Sequence, residues 1–382
     1  MFLDDGGGLL KFLMTVKDKI CEAYQLELHN KEKRRRSTYA EGFQPCHLKY
    51  GGQKKVIILA FCPTQEKYAN IRPILERLGI ESLDFGLSCD LKMLLIICGK
   101  QAASSKFCCP FCDDCAPWLD VNTRRVTLGD LYADYHKFQE IRASATSEAA
   151  ALKKAMTCHN VIHQPLITGP MNTKILSGFV QFPELHVLLG IVSKLTKEFQ
   201  RNVFPSEIEG HDWMDELLEQ IAVQRTVYHG QCSFTGPQSK KLLQKIDSME
   251  SKLLVTFAQD PDRMEVAAKY VKAFRQFELV RTACFGQDLD PNYPQLIAEF
   301  METYRSLGVS IPLKFHVLER HCQEFLEDMG GHHGLGYYSE HPFESTHNKV
   351  NVDWGVNPLN ENHQDYDEKM TDFVVGFNGK QL

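Results

Sequence analysis

Lys55-Val56-Ile57-Ile58-Leu59-Ala60-Phe61 is the stretch on which the fold turns. A strand with one wet face alternates apolar and polar residues. Val56 to Phe61 does not alternate, and its branched side chains fit a strand covered on both faces. Upstream, Met1 to about Val16 reads as a short strand, a glycine turn (Gly6, Gly7, Gly8) and a second apolar strand. Downstream, Pro63-Thr64 opens a helix-like stretch through Leu78, another strand candidate ends at Asp90, and Leu91 to Cys98 continues as an apolar helix or strand. Strand and helix alternate over this first part of the chain, which predicts an α/β core.

Farther out the pattern changes. From about Leu128 to Leu318 the reading is mainly helical, with 3.6-type apolar spacing clearest over Leu185–Phe199 and Trp213–Val227. Gly169-Pro170, Gly236-Pro237 and Asp290-Pro291 punctuate it. After the glycines at 330, 331, 334 and 336, Ser339 is a plausible N-cap for a new helix, and Pro342 is tolerated in its first turn. The final stretch is acidic and aromatic. No internal repeat or low-complexity linker is present.

Composition excludes several classes. The 382 residues are 43% hydrophobic and 24% charged, ordinary for a globular chain long enough to bury a sizeable core. A net charge of −6 excludes a uniformly basic, nucleic-acid-coating protein. The charge is uneven: residues 1–55 hold 11 Lys/Arg against 7 Asp/Glu, and residues 339–382 hold 3 against 8. No apolar run approaches the ~18–20 residues a membrane span needs, so no membrane role is expected. Thirteen cysteines, an odd and scattered set, do not read as a disulfide framework. Asp4 and Asp5 fall where the apolar core of a secretory signal would run. Reduced thiols in the nucleus or cytoplasm, and not secretion, are the expectation.

Two constellations carry chemistry. Cys109-Pro110-Phe111-Cys112 is a C-x2-C pair that can chelate one metal from a tight turn, and His316 and His321 form an H-x4-H pair expected to do the same from one face of a helix. Together they supply the S2N2 donor set that zinc prefers. Read blandly, these are buried thiols and unrelated histidines; Cys108 and Cys115 crowd the same knuckle and are rival ligands. The second set is Asp5, Asp90 and Glu344. Three converging carboxylates can hold two Mg²⁺ ions about 3.5–4 Å apart for in-line attack on a phosphodiester. With 49 acidic residues to choose from, spacing alone does not separate them from solvated surface groups. Lys33 to Arg36 could contact phosphate or act as a nuclear signal, although such runs are usually solvated loops. His186 reads as a helix residue, His332, His333 and His341 as loop residues, and Trp118 and Trp354 as packing residues. There is no phosphate-binding Gly-rich loop, nucleophile elbow or dinucleotide fingerprint.

Taken in order, Asp5-Gly6, Asp90, Cys109/Cys112, His316/His321, Ser339-Glu340 and Glu344-Ser345 resemble the catalytic core of the Transib-type DDE transposases. The V(D)J recombination-activating recombinase is of the same group. Val56–Leu75 looks like the segment that precedes the family's second aspartate, and Asp90 stands at the family's distance before the zinc cysteines. Gly336-Tyr337-Tyr338-Ser339-Glu340 resembles the approach to the catalytic glutamate.

The resemblance implies an α/β, RNase H-like catalytic sheet interrupted by a large, mainly helical, zinc-stapled insertion. Residues 1–105 would begin the core, 106–330 would form the insertion, and 331–382 would carry the catalytic helix and tail. Asp5, Asp90 and Glu344 would be the triad holding two Mg²⁺ or Mn²⁺ ions. The reaction would be nicking of double-stranded DNA at transposon ends, then strand transfer by the freed 3′-hydroxyl, in a homodimer. One extra residue before Glu344 makes Glu340 its rival, and Asp4 competes with Asp5. The family's N-terminal DNA-binding region has no counterpart here, so a separate DNA-binding region or accessory protein is expected, in a truncated or domesticated chain. The acidic balance supports an alternative: a non-catalytic, zinc-stapled remnant that binds DNA or protein.

Overall fold

The Lys55–Phe61 run lies inside β3 (Gln53–Cys62), the longest strand of a four-stranded sheet. The structure, a computed structural model, describes residues 2–4, 10–17, 53–62, 65–78, 87–118, 123–167, 176, 180–228, 231–338, 346, 350, 352, 354 and 364–379. These residues are mostly helical. The chain divides into two units, one of residues 1–96 with 340–382 and one of residues 97–339.

In the first unit β1 (Phe2–Asp4), β2 (Leu10–Lys17), β3 and β4 (Ser88–Cys89) form a sheet of order β3-β2-β1-β4. β2 is antiparallel to both β1 and β3, with register shifts after Phe12 and Thr15. β4 is parallel to β1, Phe2 facing Ser88 and Leu3 facing Cys89. A parallel pair needs a crossover, and α1 (Tyr68–Leu78) lies within it, burying Ile71 and Leu75. α2 (Leu91–Ile97) follows β4 directly. Its Leu91, Met93, Leu94, Leu95 and Ile97 are all buried, which settles the helix-or-strand alternative: a helix apolar nearly all round is a core helix. A later helix of this unit (Tyr366–Gly379) packs on β3.

The second unit is the helical part. It contains α3 (Leu128–Ser144), α4 (Glu148–Lys154), α5 (Glu184–Val203), α6 (Glu207–Gln220), α7 (Gly236–Gln244), α8 (Ile246–Thr256), α9 (Pro261–Cys284) and α10 (Tyr293–Ser306). N-caps set several starts: Thr127 forms a capping box with Asp130 on α3, Ser206 caps α6, and Thr235 precedes Pro237 on α7. The expected helix over Trp213–Val227 is shorter. It ends at Gln220, and Ala222 takes a left-handed φ of 52°. Thr226–Tyr228, β-branched and aromatic, is instead a strand, β5, paired with β6 (Gln231–Ser233).

Aromatic side chains hold this unit together. Phe199, Phe274, Phe277, Phe300, Tyr304 and Phe315 are essentially inaccessible to water. Phe277 meets Phe300 at 5.1 Å between ring centroids, and Tyr304 meets Phe315 at 4.1 Å. Each such ring contributes roughly 1.5–3 kcal/mol by burial. The glycines near 334 serve a close backbone approach. Gly334 and Gly336 N–H donate to the carbonyls of Gln287 (2.8 Å) and Gly286 (2.9 Å). A Cβ on Gly334 would lie 2.4 Å from the Gly286 oxygen.

Candidate metal centre

The C-x2-C turn is held from three sides. On one side it pairs with 124–126: Val126 N–H donates to Phe111 O at 2.8 Å, Asp113 N–H to Arg124 O at 3.1 Å, and Arg124 N–H to Asp113 Oδ1 at 2.7 Å. On another, Phe107 N–H donates to Asn160 Oδ1 at 2.9 Å. From beneath, Lys100 sends its ammonium to the carbonyls of Phe107 (2.9 Å) and Cys109 (2.8 Å). Lys100 is only 5% exposed. Short loops rarely bury this much backbone without such partners.

The histidines require a departure from α-helical geometry. At 3.6 residues per turn, residues five apart end about 140° apart around an α-helix, so His316 and His321 would face different ways. The chain runs from α11 (Leu313–His316) through a π-helical turn, Val317–His321, into α12 (Cys322–Asp328). A π turn bonds i to i+5 and stacks residues five apart. The widened turn is what puts both imidazoles on one side.

Cys109, Cys112, His316 and His321 converge, with one ligand atom of each within 4.8 Å of all the others. Cys112 Sγ lies 3.2 Å from His316 Nε2, and Cys109 Sγ 3.4 Å from His321 Nε2. Metal bonds of about 2.3 Å to sulfur and 2.0–2.1 Å to nitrogen imply tetrahedral S–N edges of about 3.6 Å. The four atoms therefore lie close to the spacing of a tetrahedral shell. All four residues are at most 2% exposed. The cluster could hold a structural metal ion such as zinc.

The surroundings match that ion. His321 Nδ1 pairs with Glu324 Oε2 at 2.9 Å. His316 Nδ1 faces Asp114 Oδ2 at 3.9 Å, and both atoms are buried without hydrogen-bond partners among the described residues. A neutral histidine that ligates through Nε2 carries its proton on Nδ1, so Glu324 orients the His321 ring, while Asp114 faces the same nitrogen of His316 from beyond hydrogen-bond distance. Trp118 stacks on His316 at 4.0 Å and donates its indole N–H to Ile311 O at 2.9 Å. Arg125, opposite Cys112 in the turn, pairs with Asp328 and reaches Glu324 at 3.6 Å. It ties the knuckle to the histidine helix.

Electrostatics separate the two thiols. Burial pushes the Cys109 thiol up, but hydrogen bonds from Cys112 and from the amides of Phe111 and Cys112, with the charge of Lys100, outweigh it and hold the thiol below its ordinary value. Cys112, hydrogen-bonded to Cys109 and buried, is pushed up to about 12. Burial lowers His321, yet Cys112 and Glu324 raise it overall. Lys100 is lowered, chiefly by burial. A metal ion would replace this shared-proton network and keep both sulfurs as thiolates.

Cys108 and Cys115 are not in the cluster. Cys108 is buried, its thiol raised to about 11 chiefly by burial, and Cys115 is half-buried. Of the acidic set, Asp90 caps α2, its carboxylate accepting from Met93 N–H at 2.7 Å. Asp4 is the last residue of β1. Asp5, Glu340 and Glu344 lie outside the described residues, as do His341 and the basic run at 31–36. His186 lies on α5, and His333 stacks on Tyr337 at 4.0 Å. Trp118 and Trp354 are buried packing residues. Asp114, Lys100 and Arg125 support the site without having stood out in the sequence. Glu324, three residues after His321 on the same helix, left a local signal. Among the described residues no helix is long and apolar enough to cross a membrane.

No curated protein matches the chain. Residues 26–118, which include Asp90 and both cluster cysteines but span well under half of the chain, match a family described as a domain of unknown function (DUF8703).

Proposed function

We propose that this chain is the core of a DDE transposase or recombinase, derived from a mobile element. It would nick double-stranded DNA at element ends and join the freed 3′-hydroxyl to a new phosphodiester, in the nucleus and as a homodimer. The observation that carries the reading is the Cys2His2 cluster. Its halves lie 204 and 212 residues apart, and it closes a helical unit inserted between two parts of a sheet unit. The sheet lends further support. Three antiparallel strands followed by a fourth parallel to β1 is the arrangement expected of an RNase H-like core. β1 ends at Asp4, and Asp90 directly follows β4 on the same edge.

Zinc is the ion assigned to the cluster. Held by two thiolates and two imidazoles, it would have no open position and would serve structure. Asp5, Asp90 and Glu344, with Glu340 as rival, are the proposed triad. Mg²⁺ or Mn²⁺ held there would activate the attacking oxygen and stabilise the leaving one. The test is divalent-metal-dependent nicking of duplex DNA by wild type and Asp90→Asn. Loss of nicking in Asp90→Asn with zinc retained supports the reading; equal nicking by both refutes it. Two observations favour a second reading, a zinc-stapled remnant that binds DNA or protein without cutting. The net charge is −6, and the Asp90 carboxylate is engaged as a helix cap. DNA binding without nicking by wild type would select it.

A further inference from the structure

A recess of about 440 Å³ opens between α5, α6 and the β5–β6 hairpin, away from the metal cluster's residues. Its wall is cationic: Lys194, Lys197, Arg201 and Arg225 line it, against a single carboxylate, Glu207. Lys194 and Arg225 are anchored by Glu198 (2.6 Å) and Asp215. Their side chains are only 22% and 13% exposed. Lys197 and Arg201, one turn apart on α5, belong to no ion pair among the described residues.

The recess also carries neutral donors. Thr196, 5% exposed, has a hydroxyl with no hydrogen-bond partner among the described residues. Leaving a buried hydroxyl unpaired costs about 1–3 kcal/mol, a cost that a ligand at this wall would remove. His211 Nδ1 lies 3.3 Å from an Arg225 nitrogen and 3.4 Å from Gln200 Nε2. A guanidinium only donates, so Nδ1 is the acceptor, and the neutral ring carries its proton on Nε2, a further donor.

We propose that this recess binds a small phosphorylated molecule carrying one or two phosphate groups. Arginine and lysine together with hydroxyl and imidazole donors are the chemistry that recognises phosphate oxygens. The volume suits a discrete ligand rather than a tracked strand. Anchored Lys194 and Arg225 would hold the inner phosphate oxygens with Thr196, and Lys197 and Arg201 would close over them from the rim.

Calorimetric titration of the full chain with inorganic pyrophosphate and with a nucleoside diphosphate tests this, with a short DNA duplex as competitor. Saturable one-to-one binding is expected. It should weaken about tenfold or more in Lys197→Glu and in Arg201→Glu, exposed changes that leave the fold intact. Thr196→Val, which keeps the volume and removes the hydroxyl, should weaken it several-fold. Retention of the metal ion monitors folding in each variant. Absence of saturable binding overturns the proposal, as does binding that none of the substitutions weakens. Displacement of pyrophosphate by stoichiometric duplex, lost in the same variants, would make the recess a nucleic-acid backbone site instead. Because the readout is binding and not nicking, its failure leaves the proposed DNA chemistry untouched, and the converse holds.

Discussion

Between α9 and α10, Phe277 and Phe300 meet 5.1 Å apart among apolar side chains, whereas residues 107–118 and 123–126 gather around two thiols, two imidazoles, a buried ammonium and a buried carboxylate. Both regions lie in one unit and both exclude water. The aromatic wall gains from burial alone, because apolar surface needs no partner of a particular kind. Among its described residues the knuckle has no long helix or strand, and Cys109, Cys112, His316, His321, Lys100 and Asp114 favour the interior only when their polar groups find partners. Equal burial can therefore conceal very different dependence on an ion.

Removing the proposed zinc ion is the strongest way to break the comparison. Apparent zinc binding in structural sites is worth about 10–16 kcal/mol at neutral pH. Chelation, or Cys109→Ser, should release one zinc per chain. Amides of 107–118, 123–126 and 313–328 should then lose hydrogen-exchange protection before those of α9 and α10. Simultaneous loss throughout would mean that the two regions are one cooperative unit. Phe300→Ala probes the opposite side. It should cost about 3–5 kcal/mol in urea unfolding while the zinc content of the folded protein stays unchanged, and zinc loss from the folded variant would deny the separation.

Substitution behind the ligands should have a smaller effect. Glu324→Gln and Asp114→Asn should each weaken metal affinity about 10–100-fold, measured by competition with a chelator of known affinity. Unchanged affinity would leave those carboxylates a purely structural role. The smallest effect concerns a histidine outside the cluster. Burial, with Arg142 adding to it, holds His163 below its ordinary value. A depressed histidine favours the native state when neutral. Its contribution is complete above the unfolded value of about 6.5 and is lost as pH falls through the folded one. Urea unfolding between pH 7.5 and 5.5 should show a shallower loss for His163→Asn than for wild type; parallel curves would assign the acid sensitivity to other groups.

Much of the architecture was legible where the sequence is locally periodic or punctuated. The unbroken apolar run from Val56 predicted β3, and the spacing over Leu185–Phe199 predicted the middle of α5. Trp213–Val227 was misread at its end, because Val223 and Val227 continue the apolar rhythm while Ala222 has already left the helix. Among the cysteines, proximity in sequence did not distinguish Cys108 and Cys115 from the true cluster members. That choice depends on which sulfurs face the histidine helix.

The candidate ligands, with Cys108 and Cys115 still rivals to the C-x2-C pair, were determined by the sequence itself, because thiolate and imidazole affinity for a metal belongs to the residues and a two-residue gap is a local constraint. That His316 and His321 share a side was not. Residues five apart diverge on an α-helix, and the π turn over Val317–His321 brings them together. Asp114 and Arg125 entered the site through long-range contacts with the histidine segment, as did the cationic recess that joins α5 to the β5–β6 region. Their positions follow from how distant segments fill space, which no local period encodes.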